Sequence, residues 1–349
     1  MANARERLQA AAAGEILIKD GPYGTAIQNA KLAAKDYAGD TGLTQDQKGN
    51  NDLVNLTQPH VIRAICDQYI AAGAAVLATN TFNANRISQA DYGAEGLVRE
   101  INMSAAKIIR EACDEATAKD GRPRFVCGAM GPTNKTLSLS PNVEDPGFRE
   151  VTFDEVKDVY REQAAALIEG GADFILIETV FDTLNCKAAV MAVKELEAES
   201  GEDIPLMISL TLTDLSGRNL SGHTVEAFWY AVRHAKPVTI GLNCSFGADQ
   251  LRPHVQLLSG IADTLLMAYP NAGLPNELGE YDELPETTAQ LVKQWAEGGK
   301  VNILGGCCGS TPEHIAAVAN AVQAFQPRAV PTLDSNMRLA GLEPFTIAA

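Results

Sequence analysis

The chain has 349 residues, a formal net charge of -16 and no basic run or stripe, which argues against a nucleic-acid surface. Hydrophobic residues make up 46% and charged residues 21%, ordinary for a globular protein, and no apolar run approaches the roughly 18 residues that cross a bilayer. Seven cysteines, an odd number, follow an N-terminus without the apolar core of a signal peptide, so reduced thiols and a cytoplasmic location are expected rather than a disulfide framework.

Residues 15–19 read as a short apolar strand that ends in the turn Asp20-Gly21-Pro22-Tyr23-Gly24-Thr25, so a carboxylate stands at the strand's C-terminal end. Residues 26–57 read as a long loop or helix-broken segment. Pro59 opens a helix with Ile62, Ile65, Cys66, Tyr69 and Ile70 on one face. From there one unit recurs: a helix, a glycine at its end, an apolar run and a polar turn. Gly73 precedes residues 74–78, Gly171 precedes 174–177 and Gly299 precedes 301–304, each a helix cap feeding a buried strand. Runs at 124–128, 206–210, 238–242 and 264–268 complete eight strands. Helical patterns intervene near 96–118, 153–169, 184–199, 224–235, 248–261, 286–298 and 312–325. This alternation predicts a single-domain (β/α)8 TIM barrel over residues 1–349, with its core at about 14–326 and a C-terminal tail. A doubly wound open sheet is the alternative.

Barrel enzymes gather their chemistry at the C-terminal ends of the strands. Asp20, Asn80, Glu178, Asp214, Asn243 with Cys244, and Cys307 with Cys308 all fall there. The adjacent cysteines sit in Gly305-Gly306-Cys307-Cys308-Gly309, a strand-to-helix turn in which Ser310 or Thr311 can cap and Pro312 opens the helix. Flanking glycines let both sulfurs face one point, which suits a soft metal ion better than a strained vicinal disulfide. Two ligands are too few. Cys244 is the best third, because the sixth and eighth strands are near neighbours on a closed barrel.

Three thiolates on Zn2+ leave one tetrahedral position open and give the site a net negative charge. Such a centre is a poor Lewis acid for hydrolysis, but it deprotonates a coordinating thiol and keeps the sulfur nucleophilic. Alkyl transfer to a thiol is the chemistry implied. Asp20 and Glu178 suit the ammonium group of an amino-acid substrate, although a strand-end acid also serves as a helix cap or loop acceptor. Gly21 and Gly24 allow backbone amides to approach a carboxylate. Cys66, Cys113, Cys127 and Cys186 read as buried packing, and all five histidines as surface or packing residues.

With Asp20-Gly21, Gly24-Thr25, Asn80-Thr81-Phe82, Glu178-Thr179, Gly241-Leu242-Asn243-Cys244 and Gly305-Gly306-Cys307-Cys308-Gly309, the chain resembles the zinc-dependent homocysteine S-methyltransferase family nearly end to end. It is most similar there to the homocysteine-binding module of cobalamin-dependent methionine synthase, through Lys48-Gly49-Asn50-Asn51-Asp52-Leu53, Gly131-Pro132-Thr133-Asn134 and Asn271-Ala272-Gly273-Leu274-Pro275-Asn276. The resemblance implies zinc on Cys244, Cys307 and Cys308, homocysteine thiolate as fourth ligand, and Asp20 and Glu178 on the amino group. Gly21, Thr25, Asn80 and Asn243 would complete the substrate pocket. It also implies methyl transfer from methylcobalamin to give methionine, with corrinoid- and folate-binding modules acting in trans or as a missing C-terminal part. The alternatives are a corrinoid-independent enzyme using betaine or S-methylmethionine, and a non-catalytic zinc-binding barrel. Two departures stand out: Ala78 where the family often has Glu, and Pro22-Tyr23 where a Gly-Met pair is common.

Overall fold

The computed structural model describes residues 3–349. Eight parallel strands, β1 (Leu17–Ile18), β2 (Val76–Ala78), β3 (Phe125–Met130), β4 (Phe174–Val180), β5 (Leu206–Leu210), β6 (Thr239–Gly247), β7 (Leu265–Asn271) and β8 (Ile303–Leu304), pair in the order β1-β8-β7-β6-β5-β4-β3-β2. The remaining seam, between β1 and β2, is drawn together by Ala75 N donating to Ile18 O at 2.8 Å and Asp20 N donating to Val76 O at 3.0 Å. First and last strands pair directly, so the sheet is a TIM barrel and not an open doubly wound sheet.

Side chains alternate along each strand between the barrel axis and the surrounding helices. On β4, Phe174 and Leu176 join the interior cluster while Ile175 and Ile177 pack outward. Phe125 and Phe174 meet edge to face inside, with ring centroids 6.0 Å apart. The same period carries Lys19 inward after Leu17, Glu178 after Leu176 and Tyr269 after Met267, so the layer nearest the C-terminal ends is charged and polar.

The expected helices are present, among them Pro59–Ala71, Val98–Asp120, Phe153–Glu169, Thr183–Ser200, Ala248–Ile261 and Pro312–Val322. Residues 26–57 form a helix-broken segment, with short helices at Ala34–Ala38 and Val54–Thr57 after one at Tyr23–Asn29. Three features differ from expectation. An N-terminal helix, Ala4–Gly14, places Leu8 and Ala12 in the interior cluster with Leu17 and Val76, closing the floor of the barrel. The tail folds into an antiparallel hairpin, β9 (Met337–Ala340) with β10 (Pro344–Ile347). Finally, β6 continues beyond Leu242 to Gly247, because β7 runs beside it and pairs Asn243 with Tyr269 and Gly247 with Asn271. No helix among the described residues is long and apolar enough to cross a membrane.

Candidate metal and substrate site

The extension of β6 shapes the site. Its register shifts between Asn243 and Gly247, and Cys244 and Ser245 there hold φ of +61° and +60°. Such left-handed residues cost about 1–3 kcal/mol each and persist only where neighbours enforce them. Thr211 enforces these, donating from Oγ1 to Asn243 O at 2.9 Å and lying 3.0 Å from Ser245 Oγ. A matching irregularity on β4 lies between Ile177 and Val180, where Thr179 holds φ +56°. The Asn243 side chain ties the two bulges together. Its Oδ1 accepts from Thr179 N at 3.1 Å and Ser209 Oγ at 2.7 Å, and its Nδ2 donates to Thr179 Oγ1 at 2.9 Å.

The turn after β8 is fastened from two sides. Cys307 N donates to Pro270 O at 2.8 Å, and Ala272 N donates to Cys308 O at 2.9 Å. Gly309 ends the turn at φ +78°, where a Cβ would lie 2.3 Å from Tyr281 Cβ, so only glycine fits. Thr311 then caps Pro312–Val322.

These two devices bring the sulfurs of Cys244, Cys307 and Cys308 within 4.8 Å of one another, with Cys244 Sγ 3.8 Å from Cys308 Sγ. Hydrogen bonds from the Cys244 and Cys307 thiols, helped by the Tyr281 hydroxyl, hold the Cys308 thiol well below its ordinary range. Cys307 is pushed in the opposite direction by the thiols of Cys244 and Cys308. A cation among the three would favour their thiolate forms. The donor set fits a soft, divalent metal ion with one coordination position left over.

The cluster lies on the wall of a cavity of about 810 Å3, which Gly21, Thr25, Asn80 and Glu178 also line. Asp20 and Asn243 do not reach it. Asp20 is fully buried beneath the wall, its Oδ1 accepting from Lys19 Nζ at 2.8 Å and its Oδ2 from Ala78 N at 2.8 Å. Asn243 is buried as the tie between the bulges. Glu178 Oε2 accepts from Tyr269 OH at 3.0 Å, and burial pushes its carboxyl above the usual range against the pull of Lys19. Asp214 stands apart on an exposed turn, accepting from Ser216 N. Among the described residues no histidine lines the cavity, and the other four cysteines are buried elsewhere, as expected. Sequence reasoning passed over Lys19, Tyr269 and Tyr281, and gave Thr179 no role beyond its place in the Glu178-Thr179 motif. Period-two alternation was a sufficient signal for Lys19 and Tyr269; for Tyr281 no local signal exists.

The sequence profile described as homocysteine S-methyltransferase matches residues 17–322, from β1 through the last barrel helix. The chain belongs to that family. It is thus a methyltransferase, and a non-catalytic barrel is set aside. Among solved structures, the metallated form of the homocysteine methyltransferase MmuM from Escherichia coli is 22% identical, with a TM-score of 0.70 over 91% of this chain and 99% of that one. The oxidised form of the same protein gives 21% identity and a TM-score of 0.67, covering 87% and 95%. At this identity the likeness concerns the fold. Within this homocysteine S-methyltransferase, the three cysteines stand where strand ends and cavity meet.

Proposed function

We propose that the chain is a zinc-dependent, cytoplasmic homocysteine S-methyltransferase in which Cys244, Cys307 and Cys308 hold the metal and the cavity beside them holds homocysteine. The observation that carries this reading is the convergence of three thiols, from the β6 bulge and the turn after β8, on the wall of that cavity. Zinc held there supplies a position at which a substrate thiol binds as thiolate. The chain's own residues do the rest. Glu178 meets the substrate's ammonium, with Asp20 behind it; Gly21, Thr25 and Asn80 shape the pocket; Asn243 keeps Cys244 turned inward. The β6 bulge and the glycine-flanked turn hold the thiols in place before any ligand arrives, so little ordering remains to oppose binding.

For the donor, the reading is methylcobalamin carried by a partner protein, with methionine as product. Exposed Phe82, Leu215 and Leu278, from the loops after β2, β5 and β7, surround the strand-end face, and apolar side chains on several loops suit a protein partner. One observation favours a small cationic donor such as betaine or S-methylmethionine instead. Asp52, buried on the cavity wall, has no salt-bridge partner among the described residues.

Purified protein is expected to contain about one zinc, and C307A and C308A to lose both zinc and homocysteine binding. Retention of metal and binding by either variant would sink the reading. Homocysteine methylation by methylcobalamin, compared with betaine and with S-methylmethionine in the absence of any corrinoid, decides the donor.

A further inference from the structure

One charged group on the cavity wall has no part in the function above: the ammonium of Lys19. Its side chain is 4% exposed, directed inward from the end of β1. Nζ donates to Asp20 Oδ1 at 2.8 Å and stands 4.6 Å from the centroid of the Tyr269 ring, whose hydroxyl donates to Glu178. Burial alone would discharge the amine, but Asp20 and Glu178 outweigh it and keep Lys19 protonated.

This arrangement changes the account of the two carboxylates. Asp20 already holds an ammonium, that of Lys19, and both its oxygens are engaged. Of the two, only Glu178 has a face on the cavity. Lys19 spends one of its three donors on Asp20 and lies against a ring face that accepts no conventional hydrogen bond, so donor capacity remains toward the cavity. A cation and an anion thus stand side by side on one wall, joined by Tyr269. An α-amino acid presents the complementary pair, a carboxylate and an ammonium on one carbon.

We propose that Lys19 is a specificity-determining residue that receives the substrate's α-carboxylate while Glu178 receives its ammonium, so that the pocket selects a zwitterionic thiol. This inference rests on the homocysteine-binding reading above. It excludes a role for Asp20 as direct acceptor of the substrate ammonium. It also opposes the plain alternative, in which Lys19 only neutralises Asp20 and an uncharged pair would serve as well.

Calorimetric titration of the zinc-loaded protein tests it without a methyl donor. The ligands are homocysteine, 3-mercaptopropylamine, which lacks the carboxylate, and 4-mercaptobutyrate, which lacks the ammonium. The K19M/D20N double variant removes both charges of the buried pair, and K19Q keeps a donor for Asp20 as a second variant. Both are expected to lose about 10- to 100-fold in homocysteine affinity, the range for a hydrogen bond to a charged group, while 3-mercaptopropylamine changes less than about threefold and zinc content stays constant. Unchanged homocysteine affinity, or equal losses for homocysteine and 3-mercaptopropylamine, would overturn the proposal. Failure of the unmodified protein to bind homocysteine would instead count against the functional reading itself.

Discussion

Asn243 joins three strands through a single side chain, bonding Thr179 on β4 and Ser209 on β5 from its place on β6. Its value lies in what it restrains, two bulges whose backbones sit in the left-handed region. Asn243→Ala leaves Thr179 N and Ser209 Oγ without their acceptor. The expected cost is about 2 kcal/mol of folding stability together with weaker zinc retention, read by denaturant unfolding and by competition with a chelator. Glu178 acts differently, since its side chain lines the cavity. Glu178→Gln keeps shape and the acceptor for Tyr269 but removes the charge. It is expected to raise the homocysteine KM by about 10- to 100-fold, with zinc content unchanged by metal analysis. At this scale the cysteine cluster was legible, because paired cysteines between glycines are rare and their chemistry is narrow. The role of Asn243 was legible only as a strand-end polar residue. Which atoms it bonds depends on neighbouring strands that share no sequence proximity with it.

Among the elements, β6 and β7 set the geometry of the site by running together past the barrel rim. Gly241 allows their close approach: a Cβ there would lie 2.2 Å from Met267 O and 3.0 Å from Met267 C, backbone atoms that cannot swing aside. Gly241→Ala is expected to destabilise the fold by about 3 kcal/mol, lowering the thermal midpoint and loosening the Cys244 bulge. An unchanged midpoint would show that the strands separate freely. The strand starts were readable from glycine caps and apolar runs, which are local signals. The end of β6 was not, because Asn243-Cys244-Ser245 has the composition of a turn, and only the pairing of Asn243 and Gly247 with β7 on either side of the bulge carries the strand onward. The tail hairpin was missed for a similar reason, its strands being short and partly exposed.

For the whole molecule, the N-terminal helix and the cavity wall make opposite demands on stability. Leu8 is completely buried in the barrel floor, far along the axis from the site. Leu8→Ala is expected to cost about 2–5 kcal/mol in unfolding free energy while leaving homocysteine affinity in the folded protein unaltered. Asp52 works the other way. Burial pushes its carboxyl up to about 7, against the hydrogen bond from Asn83 N. A raised folded-state value means that stability is fully present below the unfolded value near 4 and is lost as pH rises through about 7. Asp52→Asn should therefore be more stable than the parent at pH 8, by up to about 4 kcal/mol, and nearly equal to it at pH 4. Thermal unfolding at the two pH values checks this, and a pH-independent difference would contradict it.

The sequence by itself determined the eight-strand alternation, the strand ends that carry polar chemistry and the three cysteines that converge there. Each of these is encoded locally, in apolar runs, breakers and residue types with few uses. Only the tertiary structure decided that Leu8 plugs the floor, that Asn243 restrains the loops and that Lys19 stands against Tyr269, whose hydroxyl reaches Glu178. Closing the barrel brings together side chains from distant strands, and whether two charges meet there depends on register and twist across the ring, which no stretch of one strand contains.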